Sequence, residues 1–153
     1  LLTAQYAAKN KQKISYHTLE PFPVPDSLIA AIDYGSQINE KELYQAIHQA
    51  EWESFQKISD FFSIKKTTQK LEYVSLANNQ YNVIFFDAFA PKKQPELWNI
   101  EIFEKLYNAT KENGILTTYS AAGQLKRDLK SAGFILENPP GANGKREMTV
   151  ATK

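Results

Sequence analysis

The chain has 153 residues, 42% of them hydrophobic, 23% charged, and a formal net charge of +1. That length allows one domain with a real core, and the near-neutral charge gives no global pull toward nucleic acid or membrane. Cysteine is absent, which excludes disulfides and thiolate metal sites and fits a cytoplasmic protein; no segment is long and apolar enough to span a bilayer.

Residues 1–10 carry helix-forming side chains but no helix start signal, so they read as the back of a helix. Residues 13–20 (KISYHTLE) alternate as a strand. Pro21, Pro23 and Pro25 then forbid regular structure, so Glu20 stands at a strand end. Asp26 starts a short helix to residue 32, and a longer helix covers residues 40–48. Trp52, Phe55, Ile58, Phe61 and Phe62 continue an apolar stripe at roughly helical spacing and predict a core-facing or lid-like helix. Residues 65–70 (KKTTQK) read as a solvated connection, and residues 71–74 as a short edge strand. His17 and His48 are the only histidines and stand far apart, so no metal-ligand spacing is present.

Val83-Ile84-Phe85-Phe86 is a continuous apolar run that stops at Asp87. Such a run predicts a strand buried on both faces of a parallel sheet. Ligands of open α/β sheets bind outside the carboxyl ends of the strands, which makes Asp87 a candidate site residue. The competing reading is a carboxylate that caps the turn before Ala90-Pro91. Asn99 is an N-cap for a helix over residues 100–111, and Asn113-Gly114 stops it. Residues 115–119 form a strand. A turn at Ser120-Ala121-Ala122-Gly123 leads into a helix with Leu125, Leu129 and Ala132 buried and Lys126, Arg127 and Lys130 on its other face. Strands at residues 134–136 and 148–151 have no helix between them and should pair antiparallel at an edge. The order predicts an α/β fold with a mostly parallel sheet in three layers.

Five motifs occur in order: Asp87-Ala88-Phe89-Ala90-Pro91, Gln94-Pro95-Glu96-Leu97-Trp98, Thr118-Tyr119-Ser120-Ala121-Ala122-Gly123, Ala132-Gly133-Phe134 and Gly144-Lys145-Arg146-Glu147-Met148. Together they resemble the methyltransferase domain of MnmC-type tRNA-modifying enzymes, closely over residues 81–153 and more weakly over residues 14–25. The resemblance implies a Rossmann-like class I methyltransferase that uses S-adenosylmethionine. Its acceptor would be the exocyclic amine of 5-aminomethyl-2-thiouridine at the tRNA wobble position, made by a separate enzyme. Glu20, Asp87 and Ala88 would contact the cofactor, with Glu20 on the ribose hydroxyls. Asp87 would orient and deprotonate the amine. Phe89, Pro91 and Trp98 would wall the acceptor pocket, and Lys145 and Arg146 would meet phosphate. For Glu20 a solvated strand-end carboxylate and for Trp98 a packing anchor at a helix entry are equal readings, and for Lys145 and Arg146 the second reading is a solvated loop.

The departures lie at the front. The family's first strand and its glycine-rich loop, which holds the methionine part of the cofactor, have no counterpart among the six glycines. A further acidic residue that helps hold adenine is not recognisable within residues 71–80. The chain is therefore expected to be a single methyltransferase-like domain, residues 1–153, truncated at its amino end. Two other readings stay open: a methyltransferase for another small or nucleic-acid acceptor, since fold does not fix substrate, and a non-catalytic tRNA- or protein-binding module. A dinucleotide-dependent oxidoreductase fits less well, because the later motifs do not match one.

Overall fold

The computed structural model describes residues 1–140 and 147–153. The chain divides into two compact units, residues 1–70 and 71–153.

The first unit begins with helix α1 (Leu2–Asn10), closed by Lys11 in the left-handed region. Strand β1 (Ile14–Leu19) follows, then helices α2 (Asp26–Ile32), α3 (Tyr34–Gln37) and α4 (Lys41–Gln49), then strands β2 (Phe55–Lys57) and β3 (Phe62–Thr67). The sheet order is β1-β3-β2, with β1 parallel and β2 antiparallel to β3. Ala4, Ala7, Ile47, Phe62 and Ile64 form its core.

The helix expected from the aromatic stripe at residues 52–62 is instead a hairpin. Ile58 and Ser59 donate backbone N–H bonds to Phe62 O at 3.0 and 3.1 Å, and Lys57 pairs with Asp60 at 2.7 Å across the turn. The Ser-Asp pair supplies turn chemistry, and the flanking aromatics suit a pleated surface as well as a helix face. The expected solvated connection at residues 65–70 is also corrected, because Lys65, Lys66 and Thr67 complete β3 and the last two are buried. Lys66 is tolerated there because its ammonium donates to His48 O at 2.6 Å and lies 4.8 Å above the Trp52 ring.

The second unit contains β4 (Tyr81–Phe85), α5 (Ile100–Ala109), β5 (Thr110–Thr118), α6 (Gly123–Ser131), β6 (Ile135–Glu137) and β7 (Thr149–Thr152). Its sheet order is β4-β5-β7-β6. Asn99 caps α5 through Oδ1, which accepts from Ile102 N–H at 3.0 Å. Gly133 follows α6 at a φ of 113°, and a Cβ there would meet the Tyr107 ring at 2.9 Å, so only glycine fits. Residues 71–74, expected as a strand, form a turn whose carbonyls at Leu71 and Glu72 accept from Lys105 Nζ. Phe103, Leu116 and Leu129 are fully buried at the centre of the core.

The expected antiparallel carboxyl-terminal pair is present as β6 and β7. Two other expectations change. The sheets are mixed, with parallel ladders β1–β3 and β4–β5 against antiparallel ladders β2–β3, β5–β7 and β6–β7. The strand expected to be buried on both faces, β4, lies at an edge of its sheet, with Val83 44% and Phe85 56% exposed. An apolar run specifies a strand but carries no record of how many neighbours flank it.

Candidate functional site

The carboxyl ends of β4 and β5 lie side by side because the two strands are parallel neighbours. Phe86 extends the ladder past β4, donating its N–H to Thr117 O at 2.9 Å. Its buried ring packs edge-on against Phe103 and Trp98, with centroids at 5.6 and 5.1 Å. Asp87 then leaves the sheet with its side chain exposed. Among the described residues no hydrogen bond or ion pair engages its carboxylate. A turn-capping role needs that carboxylate to accept a loop N–H. The loop is closed by other groups: Gln94 Oε1 accepts from Phe89 N–H at 3.1 Å, and Ala90 O accepts from Lys93 N–H at 2.7 Å and Gln94 N–H at 3.1 Å.

Pro95–Leu97 makes one turn of 3-10 helix that buries Leu97 and delivers Trp98. The Trp98 indole N–H donates to Phe89 O at 2.7 Å, and its ring meets Tyr119 edge-on at 6.3 Å. The Tyr119 hydroxyl, just past β5, donates to Ala88 O at 3.0 Å. The Phe89 ring is 73% exposed at the loop tip, and Pro91 is half-buried. Asp87, Ala88, Phe89, Pro91 and Trp98 are thus gathered in one unit. Tyr119 and Gln94 join them, although the sequence reading used both only as motif members. The signal for Tyr119 was its place at the end of the strand after the Asp87 strand, where a hydroxyl can reach the neighbouring loop.

Glu20 belongs to the first unit. It follows β1 directly, its N–H donates to Thr67 O at 2.9 Å, and its Oε1 accepts from Phe22 N–H at 2.9 Å. That bond engages one oxygen of the carboxylate. At the same end of this sheet Glu53 accepts from both Thr68 N–H and Thr68 Oγ1, at 2.8 and 3.0 Å. Those bonds hold the Glu53 carboxyl below its ordinary pKa. Lys145 and Arg146 lie outside the described residues. On α6, Lys126 is paired with Glu147 at 3.0 Å and Arg127 donates to Gln124 at 2.7 Å, so neither is idle surface charge.

A family model described as S-adenosyl-L-methionine-dependent methyltransferase matches residues 40–153. An uncharacterized protein of Methanocaldococcus jannaschii, MJ0670, is 32% identical over 82 residues, 54% of this chain and 23% of that protein. The chain therefore spans about a quarter of that curated relative's length. Among solved structures, MnmC2 from Aquifex aeolicus matches with a TM-score of 0.69 at 19% identity, over 98% of this chain and 46% of that one. The antibiotic-resistance methyltransferase Kmr matches at 0.53 and 9% identity, over 99% of this chain and 90% of that one. At these identities the structural matches show the fold.

Proposed function

The chain belongs to the S-adenosyl-L-methionine-dependent methyltransferase family, and from that premise we propose that it serves N-methylation of the aminomethyl group of wobble-position 5-aminomethyl-2-thiouridine in tRNA. The motif resemblance to MnmC-type enzymes supports this acceptor, and so does the fold shared with MnmC2. The observation that carries the reading is the Asp87 carboxylate: exposed just past the carboxyl end of β4, two residues before the exposed Phe89, and engaged by no group among the described residues.

The cofactor, when bound, supplies an activated methyl group. The work left to the protein is to present a neutral amine in line with that group. An alkyl amine is mostly protonated near neutral pH, so a proton must be taken from it. Asp87 has the chemistry to orient the ammonium and accept that proton. Phe89 offers a ring face for a nucleobase to stack on. Glu20 fits a vicinal diol such as the cofactor's ribose, because its rotamer is fixed by Phe22 N–H while a second carboxylate oxygen stays available. Lys145 and Arg146 are kept as phosphate contacts, and residues 1–153 as part of one methyltransferase domain.

The test is single-turnover methylation of aminomethyl-bearing tRNA by the whole protein, wild type and Asp87→Asn, across pH. Turnover should fall by about 10²–10⁴-fold with cofactor affinity kept, and recover in part as pH rises. Equal rates at every pH would place the chemistry elsewhere.

A further inference from the structure

We infer that Tyr119, Trp98 and Gln94 form a brace that positions Asp87, an inference that rests on Asp87 serving as the proton acceptor. Three side-chain hydrogen bonds converge on the two residues that follow it. Tyr119 donates to Ala88 O at 3.0 Å, Trp98 donates to Phe89 O at 2.7 Å, and Gln94 accepts from Phe89 N–H at 3.1 Å. They arrive from three places in the chain: the end of β5, the residue after the 3-10 turn, and the loop itself. Together they hold the Ala88–Phe89 peptide through its carbonyl and its N–H, and the Phe89–Ala90 peptide through its carbonyl.

The Asp87 carboxylate meets no partner of its own among the described residues. The backbone aims the Asp87 Cα–Cβ bond, and the brace holds the backbone that follows it. Exposed loops are otherwise the mobile part of a fold. A group that takes a proton from an aligned amine must be held to within about 0.5 Å. The brace is itself anchored in the core. Trp98 packs on Phe86, and Phe86 packs on the fully buried Phe103. Tyr119 and Trp98 also meet edge-on, so the two donors support each other.

Tyr119→Phe deletes one bond and keeps the ring. In the whole protein, single-turnover methylation of aminomethyl-bearing tRNA should slow by about 10-fold, with S-adenosylmethionine affinity by calorimetry unchanged within about 2-fold. The defect should shrink as pH rises, because an amine that bulk water has already deprotonated no longer needs an aimed carboxylate. Loss of packing alone would not give that pH profile. Trp98→Phe, which keeps an aromatic ring and drops the indole donor, should show the same profile. In the Asp87→Asn background Tyr119→Phe should add no further loss. A wild-type rate for both Tyr119→Phe and Trp98→Phe overturns the brace. So does a double variant slowed by the full product of the two single losses. A wild-type rate for Asp87→Asn overturns the proton-acceptor assignment instead, so the two failures are told apart.

Discussion

The two units solve the same problem, a small sheet with helices, by different means. Among the described residues the apolar core of the second gathers ten buried residues around Phe103, Leu116 and Leu129, and Thr110, Thr118 and Thr149 are buried with them. The core of the first gathers five, two of them alanines, and the unit also encloses a lysine. Burial pushes the Lys66 ammonium below its ordinary pKa. Helix α2 buries none of its residues, and Leu28 and Ile32 stand about half exposed. The second unit carries the candidate chemistry on loops braced to a dense core. The first offers polar groups at its strand ends, with less apolar burial beneath them. A positioned proton acceptor needs the first arrangement, while a diol can be met by one carboxylate on a looser frame.

Core truncation gives the largest expected difference. Phe103→Ala removes a fully buried ring and should cost the second unit about 4 kcal/mol in urea unfolding. Leu28→Ala in α2 should change stability by no more than about 0.5 kcal/mol, because the side chain is already half in water. A cost above about 2 kcal/mol at Leu28 would mean that α2 is packed more fully than the comparison holds.

The next effect is on binding. Glu20→Ala in the whole protein should weaken S-adenosylmethionine binding by about 1.5–3 kcal/mol, the range for hydrogen bonds to a charged group. Calorimetry decides it. Unchanged affinity in a folded variant removes Glu20 from the cofactor's contacts and leaves the first unit with a purely structural part.

The same contrast explains what was legible beforehand. The second unit announced itself through the Asn99 cap and through its two closing strands, which pair antiparallel as β6 and β7. Each of these is decided within a few residues. The first unit misled where local signals were ambiguous. Residues 52, 55, 58, 61 and 62 fit a helical stripe, yet the pairing of β3 with β1 made them a hairpin. Lys66 looked solvated because its partners, His48 O and the Trp52 ring, come from 18 and 14 residues away. In the second unit the run at residues 83–86 specified a strand but did not name its neighbours, and β4 lies at an edge of its sheet. The place of Asp87 just past the carboxyl end of β4 was readable from the sequence. The brace was not, because its bonds span up to 31 residues and join side chains to backbone groups.

The smallest expected effect separates the units by pH. Both histidines of the chain, His17 and His48, lie in the first unit. Burial lowers the pKa of each, with a second push from Lys66 at His48 and from Lys65 at His17, where Glu53 opposes it. A histidine whose folded pKa is depressed is held neutral by the fold. As pH falls through about 6.5 the unfolded chain takes up protons first, so stability falls until the lower folded values are reached. The second unit has no histidine. The chain's two tryptophans provide the readout, since Trp52 lies in the first unit and Trp98 in the second. With fluorotryptophan label, fluorine NMR follows each through a urea titration. From pH 7.5 to 5.5 the Trp52 midpoint should drop while the Trp98 midpoint holds. His48→Gln should remove part of the drop. Equal shifts at both probes would show that the two units unfold together, and a Trp52 midpoint that rises on acidification would reverse the sign assigned to the histidines.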